Sequence, residues 1–144
     1  MPATGLQWTG QATITNLTPH PIMKDAISWF NIAVANFDRA QKFYETTLDT
    51  KLEVVTKPDE SMGMFPADFE KGVGGAISKR QGCEPGAGGT TVYLNATGKL
   101  DAVLDRVPAA GGSIVMPRTA IPPHGFIAII TDTEGNNVGL YSPE

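Results

Sequence analysis

Apolar residues recur along this chain with two periods, and the order in which the periods change occurs twice. Over residues 27–35, Phe30, Ile32 and Val34 alternate with Trp29, Asn31 and Ala33, the two-residue period of a strand with distinct faces. Asn36 then offers an N-cap side chain, and Phe37, Ala40, Tyr44 and Leu48 follow at the spacing of one helical face. Residues 52–56 predict a second strand, residues 62–65 a third with Pro58 and Gly63 blurring its bounds, and residues 75–79 a fourth. Residues 82–89 hold four glycines and a proline with no apolar run, so they read as a linker or mobile loop.

The pattern then restarts. Residues 90–96 predict a strand with Val92 and Leu94 on one face and Thr91, Tyr93 and Asn95 on the other. Leu100, Val103, Leu104 and Val107 mark a helix, which Pro108 and the Gly111-Gly112 pair end. A strand at residues 113–116 and an irregular Pro-rich connection over residues 117–124 lead into a closing hairpin. There, Ala128, Ile129 and Ile130 form one arm, Val138 and Leu140 the other, and Asp132 to Asn137 the turn. Two strand–helix–strand units offset by about 60 residues imply an internal duplication. Helices on one side of each half-sheet leave the opposite faces to line a concave side. The expected class is therefore α+β, with an extension at residues 1–26 and a domain at residues 27–144, its halves at 27–81 and 90–142.

Composition narrows the partners. A net charge of -4 with no visible basic patch argues against nucleic acid or an anionic membrane surface. No apolar run approaches the length that spans a bilayer. A single cysteine, Cys83, forms no internal disulfide and fits a reducing compartment; with no secretory pattern over residues 1–23, the expected location is the cytoplasm. Those residues, which contain Thr, Pro and Gly with little periodicity, read as lying over the domain, pairing with a partner subunit, or remaining disordered.

Three stretches carry a resemblance: Val34-x-Asn36-Phe37-Asp38-Arg39-Ala40-x-x-Phe43-Tyr44, the Gly111-Gly112 pair, and Asp132-x-x-Gly135-Asn136-x-Val138-x-Leu140. Together, over about residues 27–142, they resemble the vicinal oxygen chelate superfamily of glyoxalase I, bleomycin resistance proteins and extradiol dioxygenases. The segment from Gly112 to Pro122 is similar to a bacterial glyoxalase-like subgroup. The resemblance implies two paired βαβββ modules forming a curved eight-stranded cleft sheet with helices on the outside, usually as a homodimer. Metal-dependent members hold a divalent ion with His or Gln on the first strand of each module and Glu on the last. The matching positions here are Trp29 (with Asn31 as inward neighbour), residues 74–79 with no carboxylate or imidazole, Thr91, and Gly139. Imidazole and carboxylate donors are what such an ion needs, so no metal and no cofactor is expected.

The remaining expectation is a small-molecule ligand. Trp29 would form an aromatic wall with Tyr93, Phe126 and Tyr141 as companions, and Met62, Met64 and Phe65 would add adaptable apolar surface. Asn31 is its polar neighbour. Arg118 is the cation suited to a ligand carboxylate or phosphate, and His124 a hydrogen-bond donor or proton shuttle at the cleft mouth. His20, between two prolines, reads as a turn residue. Cys83 near Arg80 lacks a local His partner for nucleophilic chemistry. The glycine runs match no phosphate loop, and Asp132 and Glu134 read as turn carboxylates without the rest of a calcium loop. The alternative reading is a lyase, isomerase or dioxygenase-type enzyme of the same superfamily with a non-standard or metal-free site.

Overall fold

A computed structural model describes Asp25, Ile27 and residues 29–144, so the readings made for residues 1–24 lie outside the described residues. Its elements follow the order β1 Trp29–Ala33, α1 Phe37–Thr47, β2 Glu53–Lys57, β3 Glu60–Met64, β4 Gly74–Arg80, β5 Tyr93–Asn95, α2 Leu100–Arg106, β6 Ser113–Ala120, β7 Phe126–Thr131 and β8 Asn137–Ser142. The strands form two four-stranded sheets, ordered β1-β4-β3-β2 and β5-β8-β7-β6. In each, the first strand runs parallel to the last and every other pairing is antiparallel. The chain is therefore two βαβββ modules with identical topology. The eight strands divide into two hydrogen-bonded half-sheets rather than one continuous ladder.

Local chemistry sets the first helix. The Asn36 side chain accepts from the Arg39 amide at 3.0 Å, satisfying one of the donors that a helix start leaves unpaired. Ala40, Phe43, Tyr44 and Thr47 then come round to one buried face. That face meets Leu100, Val103, Leu104 and Val107 of the α2 region, together with Ile32, Ile77, Leu94, Ala128, Ile130, Val138 and Leu140 from the half-sheets. Each such fully buried aliphatic or aromatic side chain favours folding by about 1.5–3 kcal/mol relative to exposure. The rings of Phe43, Tyr44, Phe65 and Phe30 extend this core in sequence, with centroid separations of 5.0, 5.7 and 5.8 Å.

Two boundaries differ from expectation. β6 continues through Pro117 to Ala120 instead of giving way to a loop, because it is an edge strand whose register against β7 shifts twice around that proline. Edges and bulges are where a sheet accommodates a residue without an N–H. β5 is shorter than residues 90–96, since only Tyr93 to Asn95 pair with β8.

Candidate functional site

Strand alternation sorts the side chains onto two faces. Phe30, Ile32 and Val34 pack toward the helices, so Trp29 and Asn31 project from the opposite, helix-free face, where the Trp29 indole N–H donates to Asn31 Oδ1 at 3.0 Å. In the second module Leu94 and Leu140 are buried in the core, which places Tyr93 and Tyr141 on that same open face. The registers expose an equivalence between the modules. Trp29 pairs with Gly74 across β1 and β4, and Tyr93 pairs with Gly139 across β5 and β8. A Cβ added at Gly139 would overlap the Tyr93 ring, and one added at Gly74 would overlap the Phe69 ring and approach Trp29 to 3.0 Å. Each module thus lays an aromatic ring on bare backbone of its last strand. Glycine at both places leaves room for that close approach.

The structure brings Trp29 and Asn31 together in one module and Tyr93 and Tyr141 in the other, and it takes Arg118 and Phe126 elsewhere. Phe126 lies on the core-facing side of β7, and the Arg118 guanidinium stacks 3.9 Å above its ring while pairing with Asp101 of α2 at 3.1 Å. These two form a cluster on the helix side. His124 occupies the exposed loop before β7, where its carbonyl accepts from the Tyr141 hydroxyl at 2.7 Å. Of the methionines, Met62 and Met64 share the open face with Trp29 through their pairings with Ser78 and Ala76, whereas Phe65 belongs to the aromatic chain beside the core.

A crevice of about 700 Å³ lies between the start of β1 and β4 and the β5 strand, lined chiefly by Phe30, Phe65, Val73, Val92 and Tyr93, with Lys99 on its wall. Among these, sequence patterning identified Tyr93 as a ligand contact and Phe65 as added apolar surface. Phe30 and Val92 carry an ordinary core-facing signal, and Val73 and Phe69 sit in an aperiodic loop. Phe69 stacks on Trp29 at a centroid distance of 6.1 Å and is 59% exposed.

Polar side chains lock the two modules together at the C-terminal end of β1. Glu134, its side chain fully buried, accepts from the amides of Ala35 and Asn36 at 3.0 and 2.7 Å and from Arg39 Nε at 2.8 Å. Burial by itself would raise the Glu134 pKa, but the hydrogen bonds from Arg39, the Asn36 amide, Thr133 and the Ala35 amide outweigh it and lower the value to about 2. Asp132 accepts from the Tyr44 hydroxyl at 2.6 Å, from the amides of Glu134 and Asn136, and from the Asn136 side chain. Burial, then the adjacent Asp132 carboxylate, pushes the Tyr44 phenol well above its usual range. The Asn136 amide also donates to the Ala33 carbonyl at 2.8 Å. Asp132 and Glu134 are turn carboxylates, as expected, and they are also the staple between the halves.

At the same end of the first half-sheet, Ser78, Glu60, Arg80 and Cys83 form a polar chain, with Arg80 Nε 3.0 Å from Cys83 Sγ. Among the described residues no three His, Cys, Asp or Glu side chains converge in a way that could hold a metal ion, and no helix is long and apolar enough to cross a membrane.

Comparison with known proteins matches this architecture. A profile of the Glyoxalase/Bleomycin resistance protein/Dioxygenase superfamily matches residues 26–140. No curated protein matches the sequence. Among solved structures, the chain is similar to a glyoxalase/bleomycin resistance protein/dioxygenase family enzyme from Burkholderia phytofirmans, with TM-score 0.60 and 16% identity over 81% of this chain and 98% of that one. It is similar also to the fosfomycin resistance protein FosX from Listeria monocytogenes, with TM-score 0.58 and 13% identity over 83% and 92% of the two chains. Glyoxalase I from Zea mays aligns with TM-score 0.59 and 22% identity over 80% of this chain, which spans 45% of the maize chain's length. At these identities the structural likenesses establish the fold. With the family profile covering most of its length, the chain belongs to the glyoxalase/bleomycin resistance protein/dioxygenase superfamily.

Proposed function

We propose that this protein is a metal-free member of its superfamily that binds a small apolar or aromatic molecule in the crevice where its two modules meet. The observation that carries the reading is the crevice itself: about 700 Å³, walled by Phe30, Phe65, Val73, Val92 and Tyr93. That is the size and character of a pocket for a compact organic ligand with few polar anchors. Lys99 and Asn95 supply those anchors at the wall. The donor set supports the metal-free part. On the family resemblance, Trp29 and Gly139 stand where metal-dependent members carry His or Gln and Glu, and indole and bare backbone do not fit a divalent cation. A cytoplasmic homodimer belongs to the same proposal; the edge strand β6, with Ile114 and Val115 42% and 45% exposed, gives a second copy apolar surface to meet.

The test is a thermal-shift screen of metabolites and antibiotics, followed by calorimetric titration of any compound that raises Tm. A binder should lose at least tenfold in affinity in Tyr93→Ala, and chelation should leave the Tm of the purified protein unchanged. Stoichiometric Zn, Ni, Mn or Fe whose removal lowers Tm would overturn the metal-free reading. Full affinity in Tyr93→Ala would move the ligand out of this crevice.

A further inference from the structure

The crevice wall is mostly apolar, and among the described residues Asp68 and Lys99 are the ionisable side chains that carry charge along it. The two are not equivalent. Asp68 is engaged by its own turn: its Oδ1 accepts from the amides of Glu70 and Lys71 at 3.0 and 3.3 Å, and its carbonyl accepts from the Gly72 amide at 2.7 Å. Lys99 is engaged far less. Its Nζ donates to the Leu48 carbonyl at 3.3 Å, and Leu48 itself lines the crevice, so the ammonium is held at the wall. An ammonium carries three donors, and a neutral carbonyl meets one of them. Among the described residues Lys99 forms no ion pair.

Asn95, the other polar anchor, has the same imbalance. Its Oδ1 accepts from the Thr97 amide and the Thr97 hydroxyl, which leaves its NH2 as the part of the side chain that can meet a ligand. The wall thus offers N–H donors at Lys99 and Asn95, while the acceptors of Asn95 and much of Asp68 are already occupied. The complement of such a wall is an acceptor with negative charge. A lone ammonium compensates one unit of charge, which suits a carboxylate better than a doubly charged phosphate ester.

We infer that the crevice selects small monocarboxylic acids with an aromatic or branched aliphatic body, the carboxylate meeting Lys99 Nζ and the body lying against Phe30, Phe65, Val92 and Tyr93. This rests on the reading of the crevice as a ligand site and adds the class of ligand. The experiment is calorimetric titration of the full chain with benzoate, phenylacetate and 3-phenylpropionate, each beside its uncharged primary amide. Lys99 is exposed and water screens its charge, so the preference for acid over amide should be about tenfold, the low end for a charge-assisted contact. Added salt should shrink that preference. Lys99→Gln, which keeps a donor for the Leu48 carbonyl, should abolish it, and Lys99→Arg should restore it. Each variant is checked for an intact melting transition. Amides that bind as tightly as their acids would overturn the inference, and so would an acid preference that survives Lys99→Gln. Failure of every acid to bind at millimolar concentration would overturn it as well. Equal binding of acid and amide, lost for both in Tyr93→Ala, would leave the crevice reading standing without its acid class, so the two fail separately.

Discussion

Replacing Glu134 by glutamine tests whether the staple between the modules holds the fold. The carboxylate's pKa falls from 4.5 for a free glutamate to about 2 in the folded chain, and at about 1.36 kcal/mol per unit this corresponds to roughly 3 kcal/mol of stability. Its partner Arg39 keeps 52% of its side chain in solvent, which screens part of that attraction. Glu134→Gln should therefore cost about 2–3 kcal/mol at pH 7, a fall in Tm of about 8–12 °C for a domain of this size. The neutral amide can still accept from the Ala35 and Asn36 N–H groups, but its NH2 opposes the guanidinium with a donor. Because the folded pKa lies below the unfolded one, the contribution is complete above about pH 4.5 and is lost as pH falls toward 2. Urea melts of wild type and variant between pH 7 and pH 3 should show the stability gap narrowing by about half. A gap that stays constant over that range, or one under about 0.5 kcal/mol at pH 7, would refute the reasoning.

Two further outcomes follow from the contacts. Gly139→Ala should cost about 1–3 kcal/mol because its new methyl overlaps the Tyr93 ring, and the same change in a Tyr93→Ala background should cost well under half as much; equal costs in the double-mutant cycle would show that the ring is not what demands glycine. Tyr44→Phe removes a 2.6 Å donor from the buried Asp132 carboxylate and should destabilise the protein by about 1.5–3 kcal/mol in chemical denaturation, without changing the affinity of any crevice ligand.

Periodicity made most of the fold legible. The alternation at Phe30, Ile32 and Val34 and the helical stripe through Ala40 and Tyr44 are set by local geometry, and both survive into the core unchanged. Where reading along the chain failed, the deciding interaction was remote. β6 runs past Pro117 because no strand lies on its outer side, a property of sheet order that no local window contains. Arg118 looked like a free cation suited to a ligand, yet Asp101 and the Phe126 ring, both distant in sequence, claim it. Alternation assigned Trp29 and Tyr93 to the open face correctly. It assigned Phe126 wrongly as their companion, because that residue shares parity with Ala128 and Ile130, which are buried against the helices. The crevice escaped for the same reason: its walls come from loops, a helix end and three strands that meet only when the modules pack.

The stretches that carry the family resemblance converge in space, which limits what membership implies. Asn36, Arg39 and Tyr44 from the first motif meet the turn from Asp132 to Asn136 of the last one, through Tyr44 to Asp132, Arg39 and the Asn36 amide to Glu134, and Asn136 to the Ala33 carbonyl. Buried carboxylates satisfied this fully are costly to break singly, since any lost partner leaves a charge without compensation. The motif residues therefore answer to the geometry of joining two βαβββ modules. The helix-free face takes no part in that joining, and it carries Trp29 beside Gly74 and Tyr93 beside Gly139. Removing a staple carboxylate should therefore lower stability, whereas exchanging the exposed Trp29 or Tyr93 should leave the fold intact.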